Sequence, residues 1–157
     1  MKKELVLGIG NRLMMDDGIG VYIVEELRKR KTGNDTCYVA GETDASFCMQ
    51  QIREASSVII IDAAYLGNEP GSIYTIHIKQ ALQGPLNMFS MHELNLFRQI
   101  KIEGKDVEGI FIGVEPKEIT FGMQLSDVLQ NKLENITDKI EMVIEFIRGY
   151  NLEAAES

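Results

Sequence analysis

The chain has 157 residues, 45% of them hydrophobic and 25% charged, with 16 Lys plus Arg against 24 Asp plus Glu and a formal net charge of −8. This is the composition of an ordinary soluble domain, not of a disordered or low-complexity chain. Its length corresponds to one domain, residues 1–157, able to bury roughly 70% of its unfolded surface. The acidic balance leaves no surplus of cations for phosphates, so neither nucleic acid nor an anionic membrane surface is an expected partner.

The N-terminus, MKKELVLGIGN, offers too short an apolar stretch for a signal-peptide core, and no run of about 20 apolar residues follows. A cytoplasmic protein without membrane insertion is the expectation, with Cys37 and Cys48 as reduced thiols. Two cysteines at this spacing make neither a zinc site nor a disulfide framework.

Leu5–Ile9 reads as a short buried strand that ends at Gly10-Asn11. From Gly18 to Arg30, apolar residues at Ile19, Val21, Ile23, Val24 and Leu27 define an amphipathic helix with Arg28, Lys29 and Arg30 at its end, as the helix dipole prefers. Cys37–Ala40 is a weaker strand and Ala45–Ala55 a short helix. Ser57–Ala63, with four consecutive β-branched residues before Asp62, is the clearest strand. Its unbroken apolar character implies burial on both faces, as in a parallel sheet covered by helices.

Gly71–Lys79 alternates and predicts a more exposed strand, Met91–Ile100 a helix and Gly109–Val114 another buried strand. The final helix is capped by Ser126 and keeps its period through Leu129, Leu133, Ile136, Ile140, Val143, Ile144 and Ile147 until Gly149, with residues from about 150 as a frayed tail. The order β-α-β-α-β-β-α-β-α describes an α/β helix–sheet–helix sandwich around a mostly parallel sheet. Ligand groups in such sheets sit in loops at the carboxyl ends of the strands.

The first of those loops, GIGNRLMMDDGIG, is glycine-rich, but Leu13 stands where a dinucleotide fingerprint needs its third glycine, and no P-loop is present. Asp16-Asp17 lies before the first helix. One carboxylate suits an N-cap, and the second is not needed for capping and would repel it. Asp62 ends its strand either as a cap of the following loop or as a ligand group. Of the two histidines, His77 fits an edge or packing position in its strand. His92 falls in the first turn of a helix that Ser90 or Asn87 can cap, with its imidazole toward the strand ends. Two carboxylates and one imidazole converging there would make an open site for a divalent metal. No GxSxG elbow occurs, neither cysteine has a histidine nearby, and Met14 and Met15 read as packing residues.

Four blocks, GIGNRLMMDDGIGVYIVEEL, IIIDAAYLG, FSMHELNL and IGVEPKEITFGMQLS, together resemble the hydrogenase maturation endopeptidases of nickel–iron hydrogenases, an aspartic peptidase-like family. They occur in the family's order and span Leu5 to Ser126. The resemblance implies a five-stranded twisted sheet between helices. It also implies removal of a C-terminal peptide from the precursor of a hydrogenase large subunit once its nickel has been inserted. The family's metal-recognising residues correspond to Asp17, Asp62 and His92, with Asp17 or Asp62 as catalytic carboxylate. Nickel is then carried by the substrate rather than kept by the enzyme. Alternative readings are a non-catalytic flavodoxin-like binding module, a docking factor for hydrogenase maturation, or a metallopeptidase with its own metal. The chain departs from the family in its second loop: a D-G-G-T-x-G type sequence is replaced by A40-G-E-T-D-A-S46, and Glu42 and Asp44 add negative charge that would favour a basic substrate segment.

Overall fold

The computed structural model describes residues 3–30, 35–84, 91–104 and 106–156. Strand β1 (Lys3–Ile9) leads through a 3₁₀ turn at Met15–Gly18 into helix α1 (Ile19–Arg30). Then follow β2 (Thr36–Glu42), α2 (Ala45–Arg53), β3 (Ala55–Ala63), β4 (Ile73–His77), α3 (Ile78–Gln83), α4 (Met91–Glu103), β5 (Gly109–Val114) and α5 (Asp127–Glu156). The strands form one five-stranded sheet in the order β2-β1-β3-β5-β4. All neighbours are parallel except β4, which runs antiparallel to β5 at the edge.

Both faces of the central strands are buried, which explains their unbroken apolar runs. Leu5, Leu7 and Ile9 of β1 point into one apolar cluster with Met49 and Ile52 of α2 and Leu96, Phe97 and Ile100 of α4. Val6, between them, points into the opposite cluster with Ile23 and Leu27 of α1 and Leu129, Ile136 and Ile140 of α5. Period two in the strands and period 3.6 in the helices therefore meet in two cores, one on each side of the sheet, and the helix–sheet–helix layering is observed.

Several element boundaries differ from those read in the sequence, and two of the differences are substantial. The strand within Gly71–Lys79 stops at His77, and Ile78 opens α3. Alternation continues on paper, but Ile78 is wholly buried in the first cluster and Lys-Gln-Ala-Leu-Gln favours a helix. The last helix passes Gly149 and reaches Glu156 instead of fraying from about residue 150. A single glycine costs a helix only about 1 kcal/mol, and the Leu-Glu-Ala-Ala-Glu that follows contains strong helix formers and no stop signal. The possible caps Asn87 and Ser90 lie outside the described residues. Among the described residues no helix is long and apolar enough to cross a membrane.

The chain leaves β1 toward β2 on one side and returns to β3 on the other, so the carboxyl ends of β1 and β3 flank the point where the strand order reverses. A crevice for ligands opens at such a point. Glycine lets helix and sheet close tightly beneath it. A Cβ on Gly20 would overlap the carbonyl oxygen of Ile61, and one on Gly10, whose φ is 140°, would overlap that of Asp17. The start of α1 is thereby pressed against the ends of β1 and β3.

Candidate active site

Asp17 sits in the 3₁₀ turn between β1 and α1, only 8% exposed, and its Oδ2 accepts a hydrogen bond from the Asn11 amide at 3.0 Å. Asn11 Oδ1 in turn accepts from the Leu13 amide at 2.9 Å, so the asparagine shapes the loop rather than doing chemistry. Asp62, at the end of β3, is fully buried, and its Oδ1 accepts from the amide of Ala63 at 2.7 Å. His92 enters from the first turn of α4. Its Nε2 lies 3.1 Å from Asp17 Oδ2, and its Nδ1 lies 2.8 Å from Asp62 Oδ2. One ligand-capable atom from each of Asp17, Asp62 and His92 falls within 4.8 Å of the others. Three residues distant in sequence thus converge at the switch point of the sheet.

Asp16 does not cap α1, as one of the two aspartates was expected to do, since the 3₁₀ turn intervenes. Its fully buried carboxylate accepts from the amides of Lys117 and Glu118 at 2.9 Å, from the amide of Ser126 at 2.7 Å and from the Ser126 hydroxyl at 2.7 Å. Ser126 Oγ also accepts from the Leu129 amide at 3.3 Å, capping α5 as its position suggested. A bridge between Met14 and Gly122 runs alongside, with Met15 N–H donating to the Gly122 carbonyl at 2.9 Å and Gly122 N–H to that of Leu13 at 2.8 Å. Met15 packs over Gly122, in agreement with a packing role.

Two buried acids escaped the sequence reading. Glu93 is completely buried, with Oε2 3.1 Å from His92 Nδ1. Glu115, 5% exposed, accepts from the amides of Leu66 and Gly67 at 2.8 and 3.0 Å and so fixes the loop after Asp62. Nothing in a single sequence marks either one: Glu93 follows His92 on a helix turn that reads as polar, and Glu115 lies just beyond its strand. His77 stands exposed at the end of the edge strand, apart from this cluster.

Three carboxylates around one imidazole dictate its protonation. Burial alone would lower the His92 pKa, but hydrogen bonds donated to Asp17, Asp62 and Glu93, with the Asp62 charge, carry it from 6.5 up to about 12. Burial first, and then the charge of Glu93, raise Asp62 well above the usual carboxylate range. The cluster therefore calls for a cation, which the imidazolium supplies here. Two oxygens and one imidazole nitrogen suit a borderline divalent metal in that place, and they offer no thiolate to hold it tightly.

A pH dependence follows. A histidine that binds its proton more tightly when folded stabilises the fold fully below its unfolded pKa and loses that contribution as pH rises toward the folded value. Asp62, also raised, acts in the same direction from lower pH. Stability should fall between pH 7 and 9 by about 1 kcal/mol per unit in metal-free buffer. Urea denaturation at both pH values measures the slope, which His92→Gln should flatten. A wild-type protein that gains stability over this range would contradict the arrangement.

The second loop borders the site, since Glu42 and Thr43 share a small cavity with His92, Ile9 and Leu96. Its two added charges have partners within the chain. Asp44 caps α2 by accepting from the Phe47 amide at 2.9 Å, and Glu42 pairs with Arg12 at 3.0 Å. Cys48 contributes no nucleophile, because burial pushes its thiol up to about 12. Leu13, Tyr65, Phe121 and Met123 expose large apolar side chains on the loop that carries Asp17, the loop that follows Asp62 and the segment that braces Asp16.

Fold and site together define a three-layer α/β protein with an acid–imidazole cluster at the carboxyl edge of its sheet. Residues 21–143 match the family model of the hydrogenase maturation proteases, and the chain belongs to that family. It is 28% identical over 158 residues to the hydrogenase expression/formation protein HupD of Thiocapsa roseopersicina, covering 96% of this chain and 70% of that one. Among solved structures, the hydrogenase maturating endopeptidase HybD of Escherichia coli superposes with a TM-score of 0.76 at 23% identity over 91% of this chain and 92% of that one, a likeness of fold. The [NiFe] hydrogenase maturation protease HybD of Thermococcus kodakarensis gives 0.71 at 26% identity over 90% and 98%.

Proposed function

We propose that this chain is a cytoplasmic, aspartic-type endopeptidase that removes a C-terminal peptide from the precursor of a nickel–iron hydrogenase large subunit. It reads the nickel that the precursor already carries. The observation that supports this reading is the convergence of Asp17, Asp62 and His92 within 4.8 Å of one another. Nickel is here part of the substrate. The donors Asp17, Asp62 and His92 would grip it weakly, so a precursor without metal gains nothing from them, and cleavage becomes conditional on correct metal loading. Of the two carboxylates, Asp17 keeps the solvent contact that a general base on water needs, whereas Asp62 is fully buried. The apolar side chains of Leu13, Tyr65, Phe121 and Met123 would seat the polypeptide on either side of the cleaved bond.

Intact-mass analysis of a cognate large-subunit precursor, incubated with this protein in nickel-loaded and nickel-free form, tests the proposal. Loss of a single C-terminal fragment is expected from the loaded precursor alone, slowed at least about 100-fold by Asp17→Ala or His92→Ala. Cleavage of the nickel-free precursor at an equal rate would leave a peptidase but remove the metal-reading role. A firmly retained equivalent of metal in the purified enzyme would point instead to a resident cofactor.

A further inference from the structure

Glu93 is the one member of the cluster to which neither the family resemblance nor the reading above gives a task. A carboxylate taken wholly out of water costs several kcal/mol unless it is put to use, and Glu93 is completely buried. What it faces is informative. His92 Nδ1 lies 3.1 Å from Glu93 Oε2 and 2.8 Å from Asp62 Oδ2, so two carboxylate oxygens crowd one ring nitrogen that bears a single hydrogen, and Asp62 Oδ2 is the one left without a hydrogen bond. Asp62 is also one of the three residues whose ligand atoms gather within 4.8 Å. Its Oδ1 is already bonded to the Ala63 amide at 2.7 Å, which leaves Oδ2 as the oxygen to offer a metal. Oδ2 cannot serve the imidazole and the metal equally well.

We propose that Glu93 is a positioning residue for His92. It takes the Nδ1 hydrogen, which leaves Asp62 Oδ2 for the substrate's metal, and it thereby holds the ring with bare Nε2 presented beside Asp17. A ligating histidine characteristically donates its other N–H to a carboxylate, which fixes both tautomer and ring orientation. Here the carboxylate is supplied by the adjacent residue on α4, so ring and acceptor move as one body. The inference rests on the proposed metal-reading role and assigns the residue that makes it geometrically possible.

The test uses the full chain with Cd²⁺ as a diamagnetic probe, in wild type, Glu93→Gln, Glu93→Asp and Glu93→Leu. Long-range ¹H–¹⁵N spectra of the imidazole report which nitrogen carries the hydrogen, and calorimetric titration reports affinity. Wild type is expected to bind Cd²⁺ through Nε2 with the hydrogen on Nδ1. Glu93→Gln, which keeps an acceptor oxygen in place, should retain that tautomer and lose only a few-fold in affinity. Glu93→Leu and the shorter Glu93→Asp should mix the tautomers and weaken Cd²⁺ about 10- to 100-fold. The aspartate variant carries the test should the leucine variant fail to fold. A merely structural role for Glu93 would not move the tautomer. Wild-type binding matched within twofold by the aspartate and leucine variants, with the tautomer unchanged, would overturn the inference alone. Failure of wild type to bind would overturn it together with the metal reading beneath it.

Discussion

Replacing Asp16 by alanine should cost this protein about 3–5 kcal/mol of stability, a large share of the roughly 5–15 kcal/mol that holds a domain folded. Its neighbour Asp17, replaced in the same way, should cost only about 1–2 kcal/mol. The difference comes from what each carboxylate accepts. Asp16 receives three amides and one hydroxyl from the segment between β5 and α5, and without it those donors face a buried void. Asp17 receives the Asn11 amide and faces His92, near enough to solvent for water to replace it. The two variants should therefore separate cleanly: Asp16→Ala unfolds at much lower urea, and Asp17→Ala unfolds near wild type but does not process precursor. Equal midpoints would show that the loop after β5 is held by something other than Asp16.

The same contacts show how far a sequence can be read. Strands β1, β3 and β5 were legible because burial on both faces leaves an uninterrupted apolar run, and α5 because one apolar stripe repeats over many turns. The positions of Asp17 and Asp62 were legible because loops at the carboxyl ends of parallel strands converge, and that of His92 because it opens a helix whose first turn faces those ends. What stayed hidden was the partnership between distant segments. The block IGVEPKEITFGMQLS carries part of the family resemblance, yet much of it meets Asp16 and Met14 across the site. Glu93 stayed hidden because its burial depends on how α4 docks and not on any period in the sequence.

The second loop shows how a local departure is accommodated. Glu42 occupies the left-handed region with φ 51°, where the family's sequence type has a glycine. A side chain there costs about 1–2 kcal/mol. The ion pair with Arg12, which also pairs with Glu25 at 2.7 Å and stacks on Tyr22 at 5.8 Å, ties the strained residue down. The loop's charge is thus spent on holding its own shape.

Asp62→Asn should move stability and activity in opposite directions, raising the first by about 1–2 kcal/mol and lowering the second by about 10²–10⁴-fold. Asp62 is wholly buried, and burial together with the Glu93 charge already disfavours its ionised form. An asparagine keeps the oxygen that accepts the Ala63 amide and removes the charge, and with an N–H₂ in place of Oδ2 the Nδ1 hydrogen of His92 belongs to Glu93 alone. The His92 imidazolium retains Asp17 and Glu93 as partners, so no buried charge is stranded, in contrast to the usual breaking of a buried pair. Function would lose because an amide does not bind the substrate's divalent metal as a carboxylate does. Urea denaturation at neutral pH and precursor processing, measured on the same preparation, should show the two effects together. A variant both inactive and less stable than wild type would mean that the Asp62–His92 pair repays its burial, and that this site is a source of stability instead of a strain carried for catalysis.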